Sequence, residues 1–113
     1  MEHDLSFREL SAANAARHAQ GGGGGTEASW NITDWTNALC GEAGELANFA
    51  KKVRRARPTD PTLDEAKEDL AHELADIVTY ADLIATKLGI NLAEAVRAKF
   101  NIVSNRVGSD IKL

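Results

Sequence analysis

The chain has 113 residues, a mass of 12.1 kDa and a formal net charge of −4. That length accommodates one domain and excludes dehydrogenase, kinase and TIM-barrel architectures, which need far more residues. Apolar residues make up 43% and charged residues 27%, which is typical of an ordinary globular domain. A surplus of acidic groups argues against nucleic-acid binding, because phosphate backbones need a basic surface.

The single cysteine and the N-terminal residues indicate a cellular compartment. Cys40 has no second cysteine with which to form a disulfide, and its position in an apolar stretch predicts a small buried side chain. The first residues lack the apolar run of a signal peptide, and no window approaches the roughly twenty apolar residues of a membrane span. We therefore expect a cytoplasmic protein that does not insert into a membrane.

The first predicted helix covers residues 4–20 and is followed by five consecutive glycines, Gly21 to Gly25. Glycines have no side chains to bury and lose much backbone entropy on folding, so we predict a flexible Gly-rich loop over residues 21–29. This loop is either a plain linker or a mobile cover over a site.

The second helix is predicted to begin near Thr33 or Asp34 and to end near Arg57, before Pro58 and Pro61. Apolar residues recur along one of its faces at steps of three and four. They are Trp35, Leu39, Ala43, Leu46, Ala50 and Val53.

The third helix begins with a capping box of Thr62 and Glu65 and ends at Gly89. The fourth runs from Asn91 to Gly108. Their apolar faces are formed by Leu70, Leu74, Ile77, Ala81, Ile84 and Leu88 in the third helix and Leu92, Val96, Phe100, Val103 and Val107 in the fourth. These patterns predict an all-α, four-helix-bundle-like single domain over residues 1–113, with antiparallel core helices.

Two acidic pairs lie beside these apolar faces. Glu42 and Glu45 are three residues apart, as are Glu73 and Asp76, and each acid immediately precedes a predicted core position. Antiparallel packing would bring all four carboxylates to one edge of the helix interface. Two such charges 4 Å apart repel by about 4 kcal/mol at an effective dielectric constant near 20. Divalent cations would offset that repulsion, and carboxylate oxygens suit Mg²⁺ or Mn²⁺.

Two other features bear on this site. Gly41 and Gly44 each immediately precede one acid of the first pair, and glycine inside a helix costs about 1 kcal/mol relative to alanine. We therefore expect close approach of a ligand or another backbone, or tight helix packing. Asp69 and His72 are also three apart, but a di-iron bundle uses two Glu-x-x-His pairs rather than one pair with Asp.

Basic residues supply candidate phosphate ligands. Lys51 and Lys52 follow the first acidic pair by two turns, and Lys99 and Arg106 share one face of the fourth helix. Such groups bind phosphate oxygens when they point at a metal cluster. The alternative is ordinary surface charge, which is favoured near a helix C-terminus.

The two acidic motifs, in this order, resemble the signature of the all-α nucleotide pyrophosphohydrolases, the MazG-like superfamily. Residues 38–46 look like the first motif with its glycines, residues 73–80 look like the second, and residues 92–106 resemble the closing helix. The resemblance implies a MazG fold, with residues 30–107 as the catalytic helical core behind an N-terminal helix at residues 1–20.

The resemblance also implies an activity. Glu42, Glu45, Glu73 and Asp76 would bind Mg²⁺ or Mn²⁺, with Glu42 or Glu45 also acting in catalysis. The reaction would be hydrolysis of a nucleoside triphosphate to the monophosphate and pyrophosphate, as in house-cleaning of nucleotide pools. Substrate would be held by Lys99, Asn101, Arg106, Lys51, Lys52, Trp30 and Tyr80, with Trp30 stacking on the base and Trp35 in the core.

Two alternatives remain from the sequence: hydrolysis of phosphoribosyl-ATP, and a non-catalytic helical module for oligomerisation or regulation. The apolar seams of the second and third helices exceed what one small chain can cover, so we expect that the protein is not a monomer. A symmetric dimer would bury these seams, and the resemblance also implies a homotetramer formed as a dimer of dimers.

Overall fold

The computed structural model describes residues 3–20 and 30–113, and within these ranges the chain forms helices and no strands. The four helices are α1 (Phe7–Ala19), α2 (Ile32–Arg55), α3 (Leu63–Lys87) and α4 (Leu92–Arg106). The predicted all-α class is therefore confirmed. The predicted Gly-rich loop lies outside the described residues. Of the helices described, none combines the length and apolar character needed to cross a membrane.

Each helix begins at a polar side chain that accepts a hydrogen bond from a backbone N–H of the first turn. These N-caps are Ser6, Asn31, Thr62 and Asn91. Asn31 forms a reciprocal capping box with Asp34, so α2 begins slightly earlier than predicted. In α1, Ser6 caps the helix, and the helix therefore begins at Phe7 rather than near Asp4.

The capping box of α3 gives a test of local stability. Thr62 Oγ1 accepts from the Glu65 N–H, and the Glu65 carboxylate accepts from the Thr62 N–H. We expect Thr62→Ala to lower the free energy of unfolding by about 1 kcal/mol in urea denaturation, because the Glu65 N–H loses its acceptor. Thr59→Ala, at an exposed threonine in the preceding turn, is the matched control. Equal losses in the two variants would contradict the role of the cap.

Glycines end α3 and α4 as predicted. Gly89 and Gly108 have φ angles of 68° and 72°, in the left-handed region that glycine adopts most readily. α2 instead ends with Ala56 in this region at φ 55°. The following turn is held by a bidentate pair of Arg55 and Asp60, with distances of 2.8 and 2.6 Å, and the guanidinium holds the pKa of the Asp60 carboxyl well below its usual range.

Helices α2 and α3 form an antiparallel pair, which is the largest helix contact among the described residues. The Trp35 and Tyr80 rings lie 6.1 Å apart, whereas Glu42, seven residues further along α2, meets Glu73, seven residues earlier in α3. Because the residue numbers of the contacting pairs rise along α2 while they fall along α3, the two helices run in opposite directions. The centre of the packing is Trp35, which is completely buried, as predicted.

Helix α1 packs on α3 through polar groups. Asp82 is only 1% exposed and accepts hydrogen bonds from the Ser11 hydroxyl and from Asn14 Nδ2, the latter at 3.1 Å. Asn14 Nδ2 also donates to the Thr79 carbonyl at 3.0 Å. These bonds satisfy a buried acid and fix α1 against the C-terminal half of α3. The sequence analysis did not identify this network.

Several predicted core positions are wrong, because they are exposed: Cys40, Leu74, Leu88, Val96, Phe100 and Val107. Leu74 is 53% exposed, because α1 has only 13 residues and contacts α3 near Thr79 and Asp82, beyond Leu74. Cys40 is exposed as well. Cys40 follows the core position Leu39 in sequence. Successive residues of a helix point about 100° apart around its axis, so Cys40 lies on a different face from Leu39.

Candidate metal centre

Three of the four predicted metal ligands come together where α2 meets α3. One carboxylate oxygen from each of Glu42, Glu73 and Asp76 lies within 4.8 Å of the other two. The first acid comes from α2 and the other two come from one face of α3. Glu42 and Glu73 are half-buried and Asp76 is exposed, so the cluster opens to solvent on one side. The antiparallel packing thus produces the convergence that the matched positions of the two motifs predicted.

Glu45, the fourth predicted ligand, is exposed and lies outside this group of three oxygens. Its charge nevertheless acts on Glu73. A hydrogen bond shared with the Glu42 carboxylate, loss of hydration, and the nearby Glu45 carboxylate together raise the pKa of Glu73 to about 8. Without a cation, therefore, Glu73 retains its proton at neutral pH.

The donor set fits a hard divalent cation. All its ligand atoms are carboxylate oxygens, which Mg²⁺ and Mn²⁺ prefer to nitrogen or sulfur. One oxygen of Glu73, Oε2, is buried and has no hydrogen-bond partner among the described residues. An unsatisfied acceptor beside two further acids is costly unless a proton or a cation compensates it. His72 is exposed and is not one of the three clustered residues.

Gly41 and Gly44 lie beside the acids, but no part of the described chain approaches them. A Cβ atom placed on either glycine would meet no atom within 4 Å. Tight packing of this chain against the glycines is therefore wrong as an explanation for them. They leave the surface of α2 next to Glu42 and Glu45 open.

An aromatic cluster of His18, Trp30, Trp35 and Tyr80 surrounds the other end of the α2–α3 seam. Trp35 lies at its centre, with ring centroids 4.9 Å from Trp30 and 5.5 Å from His18, both in edge-to-face geometry. The Lys87 ammonium lies 5.4 Å from a Trp35 ring centroid. Trp35 Nε1 is buried and has no partner among the described residues, whereas Trp30 is only half-buried.

The acids and the aromatic cluster occupy the same seam. Trp35 and Glu42 are seven residues apart in α2, and Glu73 and Tyr80 are seven apart in α3. Seven residues are two helical turns, or about 10 Å along the axis. Each helix therefore presents an aromatic ring and an acid on one face, two turns apart.

The predicted phosphate-binding residues are not joined to the acids in this chain. Lys51, Lys99 and Arg106 are exposed, and Lys52 lies 6.0 Å from the Phe49 ring centroid. None of the ion pairs among residues 3–20 and 30–113 includes an acid of the cluster. Asn101 is engaged elsewhere, since its side-chain amide exchanges hydrogen bonds of 2.9 and 3.2 Å with the backbone of Leu113.

The residues that sequence reasoning missed left a recognisable signal. Asp82 is the single acid among residues 77–87 at the C-terminal end of α3, and Asn14 is a single amide among alanines in α1. Polar groups of this kind are expected to find partners when their surroundings are buried. Their position in the sequence does not reveal that they are each other's partner.

Fold and site together define an all-helical protein with a carboxylate cluster on an antiparallel helix pair. No protein-family model matches the sequence. Over 102 residues the chain is 32% identical to the Gene 37 protein of Mycobacterium phage L5, a match that covers 90% of the chain and 87% of the phage protein. The chain belongs to the same family as that Gene 37 protein. Because the phage protein's name specifies no activity, the function has to be inferred from the site.

Proposed function

We propose that the chain is a MazG-like, Mg²⁺-dependent pyrophosphohydrolase that converts a nucleoside triphosphate, ribo or deoxy, to its monophosphate and pyrophosphate. The observation that carries the proposal is the convergence of Glu42, Glu73 and Asp76 on a seam that also carries an aromatic cluster two turns away. Mn²⁺ is an alternative metal with the same ligand preference. Such nucleotides belong to the cytoplasm, where we place the protein.

The proposed chemistry assigns a role to each group. A water oxygen bonds to the α-phosphorus, the α–β anhydride bond breaks, and pyrophosphate leaves. Bound Mg²⁺ would neutralise phosphate charge and favour ionisation of the attacking water. Glu42, Glu73 and Asp76 would hold it. Glu45 is exposed and its carboxylate lies beside that of Glu73, and we assign it the proton of the attacking water.

Substrate binding would divide between the two ends of the seam. Trp30, half-buried against Trp35, presents a ring on which a base can stack, and Tyr80 lies in the same cluster. Lys51 and Lys52 lie on α2 beyond the acids, and Lys99 and Arg106 lie on α4. In a homo-oligomer, exposed cations of a second copy would be available to bind phosphate.

Product analysis tests the activity directly. With Mg²⁺, we expect pyrophosphate and a nucleoside monophosphate from at least one member of a panel of canonical and modified triphosphates. Glu42→Gln or Asp76→Asn should reduce turnover about 100-fold or more, since the loss of an outer-sphere partner alone costs 10- to 100-fold. Asp69→Asn is the matched control, because Asp69 is an exposed acid of α3, the helix that carries Asp76. This variant should retain activity.

The outcomes separate the alternatives. If the chain hydrolyses phosphoribosyl-ATP faster than every triphosphate of the panel, phosphoribosyl-ATP is the substrate, and the proposed metal site stands unchanged. Release of inorganic phosphate instead of pyrophosphate would contradict attack at the α-phosphorus. No turnover with Mg²⁺ or Mn²⁺, in a chain of normal helicity, would contradict the enzyme and favour a non-catalytic helical module.

A further inference from the structure

A cavity of about 450 Å³ lies between the first turns of α1 and α4, and we call it the α1–α4 cavity. It is lined by Phe7, Arg8 and Ser11 of α1 and by residues 90–94 and 97 of the following connection and α4. Its volume falls within the range of small-molecule sites, which measure roughly 300–1,000 Å³. No acid of the metal cluster and no ring of the aromatic cluster lines it.

The cavity is also distant from those two clusters along the helices. Ser11 donates to Asp82, which lies nine residues after Glu73 in α3, or about 13 Å along the helix axis. Arg8 precedes His18 of the aromatic cluster by ten residues in α1, or about 15 Å. A ligand of this cavity is therefore distinct from a ligand of the acidic cluster.

The charged groups of the cavity favour a single negative charge. Arg8 is exposed, and its guanidinium forms no ion pair or hydrogen bond within residues 3–20 and 30–113. Arg97 makes one long contact, with 3.4 Å between Nη1 and Glu94 Oε1, which leaves most of its five N–H donors unpaired. Two arginines and one glutamate give the lining a charge of +1 in a chain of net charge −4. A polyphosphate would place several negative charges beside Glu94, whereas a monoanion balances the lining.

Apolar side chains lie beside the two guanidinium groups. Phe7 is 40% exposed and Ile90 is 47% exposed, because α1 and α4 make little direct contact with each other. Leu92, the first residue of α4, is half-buried in the same lining. A ligand that covers these side chains removes apolar surface from water, which favours binding. The lining therefore combines cations with an apolar surface.

We propose that the α1–α4 cavity binds a small amphipathic monoanion, a carboxylate attached to a short aromatic or aliphatic body. The carboxylate accepts hydrogen bonds from Arg8 and Arg97, whose planar groups match its two oxygens. The apolar body packs on Phe7 and Ile90. Such a ligand joins the first turn of α1 to α4. The inference depends on the lining of the cavity and does not depend on the proposed activity.

A chemical-shift titration of the isotope-labelled full chain tests the site, with phenylacetate as the probe. We expect saturable shifts at millimolar phenylacetate, confined to the backbone amides of residues 7–11 and 90–97. Arg8→Gln and Arg97→Gln should each weaken binding about 10-fold or more, since each removes a charged donor to the carboxylate. Arg17→Gln is the matched control, because Arg17 is an exposed arginine of α1 outside the cavity, and it should leave binding unchanged.

Two further probes separate the charge from the apolar contact. Phenylacetamide keeps the ring without the charge, and inorganic phosphate keeps negative charge without the ring. Each should bind the wild-type chain about 10-fold more weakly than phenylacetate, or weaker still. These titrations need no variant, so they decide the matter even where a substitution disturbs folding.

Four results would overturn the proposal. Phenylacetate could give no saturable shift, or it could shift the amides around the acidic cluster instead of those around the cavity. Phenylacetamide or phosphate could bind as tightly as phenylacetate, which would contradict an amphipathic anion. Arg17→Gln could weaken binding as much as Arg8→Gln, which would show that only the overall charge of the chain matters.

Discussion

Replacing Glu73 with glutamine should stabilise the metal-free chain at neutral pH and abolish its stabilisation by Mg²⁺ or Mn²⁺. In the free chain, the acids at positions 42, 45 and 73 oppose one another, and the pKa of Glu73 rises to about 8. At neutral pH the folded chain has to take up a proton on Glu73 that the unfolded chain does not hold, which costs stability, whereas glutamine keeps the size and a hydrogen-bond donor and needs no proton. The same change removes a ligand oxygen. Higher stability of the metal-free chain together with loss of metal binding is the result expected when acidic residues are placed together to bind a cation.

The sign of the pH dependence follows from the direction of this shift. The ordinary pKa of a glutamic acid is near 4.5, so between pH 4.5 and about 8 the folded chain holds a proton on Glu73 that the unfolded chain releases. The stabilising contribution is complete below pH 4.5 and is lost as the pH rises through about 8. We expect the thermal midpoint of the metal-free wild-type chain to fall over this range, and that of Glu73→Gln to fall less.

Metal titration completes the experiment. Binding to the folded state raises the thermal midpoint in proportion to the logarithm of free metal once the site is saturated. We expect this rise in the wild-type chain and in Asp69→Asn, whose exposed acid lies on the same helix. Glu73→Gln should show none. If Glu73→Gln responds to Mn²⁺ as the wild-type chain does, the cluster is not the metal site, whatever the activity measurements show.

The second large effect is expected at Asp82. Removing this carboxylate with Asp82→Ala takes away the acceptor of the Ser11 hydroxyl and one acceptor of the Asn14 amide. A hydrogen bond to a charged group contributes about 1.5–3 kcal/mol, and a buried donor without an acceptor is costly. We expect a loss of about 3 kcal/mol or more in the free energy of unfolding, measured in urea.

A control and a milder variant show whether this loss comes from the α1–α3 contact. Asp69→Ala, at an exposed position of α3, should change stability by about 0.5 kcal/mol or less. Asp82→Asn retains an acceptor oxygen and should lose less than Asp82→Ala. In Asp82→Ala, the exchange of backbone amide hydrogens should accelerate more in α1 than in α2. If Asp82→Ala is as stable as Asp69→Ala, these hydrogen bonds do not hold α1 in place.

The local signals in the sequence predicted the helices and most of their limits. Thr62 with Glu65, and Asn91 with Glu94, sit at the starts of α3 and α4, and Gly89 marks an end, because caps involve atoms only a few residues apart. The largest error was in α1, where Ser6 rather than Asp4 begins the helix. A polar residue can cap any turn nearby, so the choice among neighbours depends on the geometry that packing selects.

The acidic cluster was predictable for a different reason. Glu42 and Glu73 border the apolar faces of α2 and α3, and this register ties them to the seam once the helices pack in opposite directions, although Leu74, the core position predicted after Glu73, is exposed. The sequence did not show that Glu45 would lie outside the group of three oxygens. That distinction depends on side-chain positions at the level of a few ångströms, and helical periodicity does not resolve them.

The sequence by itself determined the helices, their caps and the two acidic pairs, because each of these depends on residues within a turn or two of one another. Only the tertiary structure decided which apolar faces are covered. Leu74 and Phe100 carry the same periodic signal as Trp35, yet Trp35 is completely buried and the other two are exposed. Burial depends on the length and direction of a neighbouring helix: α1 is too short to reach Leu74, and α4 does not pack back along α3.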